Sequence, residues 1–263
     1  MNMLLNGDCL ELMQEIPDGS IDLIFCDLPY GITACKWDST ISLDRLWEQY
    51  NRIIKPNRAI VLTASQPFTS VLVQSNVKNF KHEWIYKKRC ASNFAQARYA
   101  PMKEHESVLV FANGKALYNP IKEERVGGGK DRAKYKYNDS SRHSCGEFVG
   151  NINGAYNKET DSGNDILRFP SSVQEFNNRA AGDRGLHPTQ KPVLLCEYFI
   201  KTYSNEGDLV LDNCMGSGST GIACINTNRG FIGIEKDDKY FKIAKRRIEQ
   251  QRLINSVSQV SEI

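Results

Sequence analysis

Short apolar runs alternating with amphipathic stretches fill the first 113 residues of this chain. Residues 3–5 form a brief apolar strand that stops at Asn6-Gly7-Asp8. A helical stretch with Leu10, Leu12, Met13 and Ile16 follows, and Pro17-Asp18-Gly19 breaks it. Residues 21–26 lack polar alternation beyond Asp22, the pattern of a strand buried on both faces. Leu43, Leu46, Trp47, Tyr50 and Ile54 recur at helical spacing and predict a one-faced amphipathic helix with Trp47 in the core, ended by Lys55-Pro56-Asn57. Residues 59–63 read as the next buried strand, with two more over 82–87 and 107–111.

From about residue 115 to 185 this periodicity dissolves. Val126-Gly127-Gly128-Gly129-Lys130 has the composition of a flexible stretch, Lys134-Tyr135-Lys136-Tyr137 alternates basic and aromatic residues, and large apolar residues stay sparse until Ile166-Leu167-Arg168-Phe169-Pro170. A loop of this length inside a compact domain is usually functional or disordered. Regular order resumes at Pro192 with a helix carrying Leu194, Leu195, Tyr198, Phe199 and Tyr203. A strand over 208–214, a helix over 219–227, a strand over 231–234 ending at Glu235, and a final helix with Tyr240, Phe241, Ile243, Ala244 and Ile248 complete the pattern. The Lys245-Arg246-Arg247 triplet on that helix reads as a solvated face. The expectation is an α/β fold with a doubly wound, mostly parallel sheet, in two halves (1–113 and 186–263) separated by an insertion (114–185).

Composition narrows the class only a little. Hydrophobic content of 40% and charged content of 25% are ordinary for a globular protein. No apolar stretch approaches the roughly 18 residues a membrane span needs, and the first residues lack the basic-then-apolar pattern of a signal peptide, so a cytoplasmic protein is expected. The eight cysteines are scattered without a Cys-x-x-Cys pair; Cys26, Cys214 and Cys224 lie in apolar contexts and read as reduced, buried thiols. Cysteine and histidine spacings predict no metal site. The net charge of +3 conceals an uneven distribution: residues 87–185 hold 17 Lys/Arg against 12 Asp/Glu. A basic segment of that kind suits a phosphate-bearing partner, or is simply a solvated loop.

Two motifs carry the chemistry. Gly216, Gly218 and Gly221 fit G-x-G-x-x-G after an apolar strand and at the opening of a helix, and Glu235 ends the next strand, where a carboxylate can accept from two ribose hydroxyls. Taken alone, this constellation fits a nicotinamide dinucleotide as well as S-adenosylmethionine. Asp27-Leu28-Pro29-Tyr30, which ends the 21–26 run, decides between them. It resembles the Asp-Pro-Pro-Tyr motif of the DNA adenine-N6 and cytosine-N4 methyltransferases. Its place ahead of the glycine motif resembles the circularly permuted, beta-type branch of that family. His187-Pro188-Thr189-Gln190-Lys191-Pro192 is similar to the family segment that helps hold the methionine end of the cofactor, and Thr189 is a candidate helix cap.

The resemblance implies a Rossmann-like methyltransferase fold with S-adenosylmethionine as cofactor and double-stranded DNA as partner. It implies catalytic roles for Asp27, Leu28, Pro29 and Tyr30. Cofactor contacts are implied for Asp8, Asp27, His187, Thr189, Lys191, Asp212, Cys214, Gly216, Ser217, Gly218 and Glu235. Contacts to the target base or its DNA are implied for Tyr30, Phe94, Lys87, Lys88, Arg89 and Arg98, and the central insertion matches the family's target-recognition region. The chemistry explains the motif: an exocyclic amino group is a poor nucleophile until Asp27 and the carbonyl of residue 28 accept its N–H bonds and let the nitrogen pyramidalise. Two departures stand out. Leu28 replaces the usual proline, and Asn213-Cys214 replaces the usual Pro-Phe. Aspartate at position 27 leans towards adenine-N6, with cytosine-N4 as the alternative and a nicotinamide-dependent oxidoreductase as a more distant one. A homodimer, a cognate restriction endonuclease and a bacterial or phage-encoded, nucleoid-associated setting are further family expectations.

Overall fold

The computed structural model describes residues 2–30, 41–124, 167–178 and 190–260, without the side chains of 257–260. Gly31, the 126–130 glycine stretch, the 134–137 basic-aromatic run, His187 and Thr189 lie outside the described residues. The chain divides into two compact units, Met1–Asn119 with Ser172–Ile263, and Pro120–Ser171. The described part of the smaller unit holds the antiparallel pair β6 (Glu123–Glu124) and β7 (Leu167–Arg168).

The larger unit is built on one eight-stranded sheet. Its strands are β1 (Asn2–Asn6), β2 (Ile21–Asp27), β3 (Ile54–Ala64), β4 (Phe80–Ser92), β5 (Lys103–Phe111), β8 (Val173–Phe176), β9 (Leu209–Asp212) and β10 (Gly230–Glu235). The order is β1-β10-β9-β2-β3-β5-β4-β8. The first five run parallel, and β5 is antiparallel to both β3 and β4. β1 lies beside β10, pairing Asn6 with Glu235.

Period-two alternation sorts the buried side chains onto two faces. Ile24, Cys26, Ile60, Leu62, Leu211 and Ile232 face a core with α1 (Cys9–Leu12), α2 (Leu43–Ile53) and α3 (Phe68–Ser75). Leu23, Phe25, Val61, Val210 and Phe231 face a second core with α4 (Val193–Tyr203), α5 (Ser219–Asn226) and α6 (Asp238–Val260). Trp47 is buried, its indole N–H donating to Ser75 Oγ at 2.8 Å.

Three elements differ from the sequence pattern. β3 begins at Ile54, so Lys55-Pro56-Asn57 does not separate helix from strand. It forms an irregular stretch where the β2 register jumps from Ile21–Ile54 to Leu23–Ala59, with Asn57 at φ 60°. The helix α4 takes Pro192 as its N-cap, with no side-chain cap bond. β8, within the stretch read as an insertion, joins the main sheet by pairing with β4. Among the described residues, no helix is long and apolar enough to cross a membrane and no acidic, histidine or cysteine cluster is arranged to hold a metal ion.

Candidate active site

The sheet reverses its winding between β9 and β2, and ligands of open α/β sheets bind outside the carboxyl ends of the strands at such a point. Here a cavity of about 640 Å³ opens, lined by Asp8 after β1, Asp27-Leu28-Pro29-Tyr30 at the end of β2, Asp212 to Ser217 after β9, Glu235 at the end of β10, Glu106 of β5, and Lys191. Of the sequence candidates described, Asp8, Asp27, Leu28, Pro29, Tyr30, Lys191, Asp212, Cys214, Gly216, Ser217 and Glu235 therefore meet at one site.

Asp27 is held from three directions. Its Oδ1 accepts from the Tyr30 hydroxyl at 2.7 Å and from the Thr63 hydroxyl across the β2–β3 register. Its Oδ2 accepts from the Lys191 ammonium at 2.6 Å. A carboxylate offers about four lone-pair sites, so one, on Oδ2, is left for another donor. Burial opposes the Lys191 charge, yet Asp27 and Glu106 outweigh it and hold its pKa well above the ordinary value. Burial, then the Asp27 charge, pushes the Tyr30 hydroxyl well up. The Tyr30 ring stacks on Phe68 with centroids 5.3 Å apart, and the Lys191 ammonium stands 5.8 Å from the ring centroid. Leu28 is buried in the core beneath α1–α3, so side-chain packing anchors the backbone where the family has a proline ring.

The glycine turn is fastened to its neighbours. Gly216 takes φ 52°, and its N–H donates to Glu235 Oε2 at 2.9 Å; Oε1 accepts from the Asp237 N–H at 2.7 Å. Glu235 still lines the cavity with its carboxylate, and burial raises its pKa. Asp212 is buried, accepting from the Cys214 N–H at 3.1 Å and the Thr220 hydroxyl at 2.6 Å. Burial is the main cause that pushes its pKa up to about 6. Ser219 Oγ lines the cavity, buried and without a hydrogen-bond partner. Asp8 caps α1 through the Leu10 N–H at 3.0 Å and pairs with Lys236 at 3.1 Å.

Several placements differ from the sequence expectations. Gly218 (φ 84°) does not line the cavity; it caps α5 where a Cβ would come within 3.0 Å of Ala244 Cβ, so its requirement is helix packing. Asn213 and Cys214 line the cavity but also turn partners inward: Asn213 Oδ1 accepts from the buried Tyr50 hydroxyl at 2.5 Å, and the free Cys214 thiol neighbours the free thiols of Cys9 and Cys26. The basic triplet on α6 is not wholly a solvated face, because Arg247 donates to the Ser217 carbonyl at 2.7 Å. Lys88 turns away from solvent into a 2.5 Å pair with Glu106, since burial at that strand position demands a partner. Lys87 is exposed and pairs with Glu175 at 2.9 Å, while Arg89, Phe94 and Arg98 are exposed outside the cavity. Sequence reasoning missed Thr63, Phe68, Ser219 and Glu106. Only Glu106, a carboxylate running directly into the apolar stretch 107–111, carried a signal that could have been read.

Carboxylates at the ends of adjacent parallel strands, flanking a glycine turn, define an α/β enzyme that brings a nucleotide-like cofactor against a second ligand. Comparison with known proteins makes the class specific. The N6/N4 DNA methylase family model matches residues 21–246, and the chain belongs to that family. It is 27% identical over 266 residues to the DNA adenine methyltransferase YhdJ of Escherichia coli (strain K12), covering 94% of this chain and 82% of that protein. It is 26% identical to the Type II methyltransferase M.HpaI of Haemophilus parainfluenzae, covering 94% and 74%. Among solved structures, the M1.HpyAVI–SAM complex superposes with a TM-score of 0.62 at 24% identity, over 94% of this chain and 99% of the other. The cytosine-N4-specific PvuII DNA methyltransferase gives 0.63 at 14% identity, over 95% and 90%. These two establish likeness of fold.

Proposed function

We propose that this chain is an S-adenosylmethionine-dependent DNA methyltransferase of the circularly permuted branch, acting on the N6 amino group of a flipped-out adenine. The observation that carries this reading is the meeting of Asp27 with Asp212 and Glu235 in one cavity, from strands 185 residues apart in sequence.

The cavity fits the cofactor. Glu235 lines the cavity at the end of β10 as an acceptor suited to the ribose hydroxyls, Asp212 is a buried carboxylate suited to a cationic group, and Ser219 Oγ is a buried hydroxyl still lacking a partner. A volume of about 640 Å³ lies in the range usual for small-ligand sites. When bound, S-adenosylmethionine supplies an electrophilic methyl group on its sulfonium.

The residues of this chain do the rest. The remaining Oδ2 lone pair of Asp27 and the Leu28 carbonyl accept the two amino N–H bonds, which frees the nitrogen lone pair. The Tyr30 ring, backed by Phe68, offers the base a stacking surface. Flipping a base costs a few kcal/mol, and one aromatic stack returns about 1–3 kcal/mol. Phe94 and the exposed Lys87, Arg89 and Arg98 are assigned to the surrounding DNA, and residues 114–185 to target recognition.

Aspartate at position 27 and the named activity of YhdJ support adenine. The Type II relatives support a bacterial cytoplasmic setting beside a restriction endonuclease. The test is incubation with methyl-labelled cofactor and unmethylated DNA, followed by nucleoside identification. Label in N6-methyl-2′-deoxyadenosine is expected; label in N4-methyl-2′-deoxycytidine would overturn the choice of base, and no transfer by cofactor-binding protein would overturn the reading.

A further inference from the structure

Beyond Asp27 itself, the site contains a row of alternating charges that the assigned chemistry does not use. It runs across the sheet edge from β2 to β4. Asp27 bonds Lys191 at 2.6 Å, Lys191 stands 3.2 Å from Glu106 Oε2, and Glu106 Oε1 stands 2.5 Å from Lys88. The row is well shielded: side-chain exposures are 9% for Lys191, 14% for Glu106 and 12% for Lys88. The register explains the layout. Asp27 pairs with Thr63, Ala64 with Ser107, and Glu106 with Tyr86, so neighbouring strand ends deliver each group to the same edge.

Lys191 is the long, flexible member. It precedes α4 by two residues, on a stem with several rotatable bonds. Held by Asp27 alone, its ammonium could swing onto the one lone pair that Asp27 keeps for a substrate amino group. Glu106 prevents this by its charge: its Oε2 lies 3.2 Å from the same ammonium, an ion pair from another strand that draws the ammonium away from that lone pair. We propose that Glu106 is a positioning residue for methyl transfer: through Lys191 it determines which lone pair of Asp27 stays open to the target amino group. This rests on the reading of Asp27 as the acceptor of that group.

Lys191 is faced by Asp27 of β2, Tyr30 in the turn after it, Glu106 of β5 with Lys88 of β4 behind it, and the Cys196 thiol of α4. Removing the Glu106 charge therefore leaves the ammonium one of its two carboxylates.

The experiment compares wild type with Glu106→Gln, Glu106→Asp and Asp27→Ala, using full-length protein, duplex DNA and S-adenosylmethionine. Active-site concentration is fixed by cofactor titration. Glu106→Gln is expected to lower kcat at least tenfold while KM for cofactor stays within threefold, and to move the alkaline limb of the pH profile to lower pH. Glu106→Asp should recover part of kcat and the original limb. If the glutamine variant does not fold, Glu106→Asp still reports, with a several-fold kcat loss at unchanged cofactor affinity. Full kcat in both variants, or losses matched by lost cofactor binding, would overturn the proposal while an inactive Asp27→Ala leaves the site reading standing. An active Asp27→Ala would overturn the site reading itself.

Discussion

Asp27 and Asp212 end adjacent strands, yet their surroundings suit opposite tasks. Asp27 is enclosed by donors, a lysine and two hydroxyls, that keep it fixed. Replacing it with alanine should lower kcat by at least about 10²-fold, on the scale of losing a preorganised polar contact to a reacting group. Cofactor affinity should stay within a few-fold, and a titration checks both. Asp212 has a hydroxyl, a thiol and a backbone amide for partners, and no cation pairs with it among the described residues. Its folded pKa of about 6 lies above the ordinary 3.8. The protonated form is thus favoured by the fold, and the stability it adds is complete below 3.8 and lost as pH rises through 6. A cationic ligand group needs the ionised form, so cofactor affinity should weaken by up to about tenfold per pH unit below 6. Calorimetric titrations from pH 5 to 8 would reveal this, and Asp212→Asn should flatten the dependence. The approximate place of both residues was legible from the motifs. The Lys191 bridge between Asp27 and Glu106 was not, because the three positions lie on separate parts of the chain that only the fold brings together.

Strands buried on both faces wrote themselves plainly as apolar runs, which is why β2, β9 and β10 match the hydrophobic pattern closely. β3 was only half legible: Pro56 and a left-handed Asn57 resemble a break, but they sit in an irregularity that the neighbouring strand tolerates. β8 is a four-residue edge strand whose pairing with β4 is non-local, and α3 is a short helix containing Thr69, Val71 and Val73, so neither left a periodic trace. The glycine motif was read as a ligand cradle throughout, whereas its third member serves packing. A Cβ on Gly221 would meet Ile248 Cδ1 at 2.5 Å and a Phe231 ring carbon at 2.8 Å. Gly221→Ala should therefore cost about 1–3 kcal/mol through overpacking between α5 and α6. Thermal unfolding would report it as a lowered Tm, and an unchanged Tm would mean the two helices can part freely.

Across the larger unit, the two ends of the parallel strands have different duties. At the end remote from the cavity, buried Asp22 binds Lys55 at 2.8 Å and Arg58 at 3.0 Å and accepts the Leu209 N–H, tying β2 to β9 and β3. The charges there are spent on cohesion. Beyond the cavity end, Arg89 on β4 and Arg98 in the β4–β5 hairpin are exposed. Neutralising both should reduce the slope of log affinity for duplex DNA against log salt by about 0.9 for each phosphate that the protein no longer neutralises. Fluorescence anisotropy over a salt series measures this, and an unchanged slope would remove the hairpin from the interface.

The pairing of β1 with β10 has a consequence for biosynthesis. Asn6 and Glu235 share a rung, so the ligand chamber cannot close while a nascent chain is still short of its tenth strand. Polypeptides released early have a complete acceptor strand but no floor beneath it. They should neither load the methyl donor nor modify DNA, so abortive translation products would be inert rather than promiscuous.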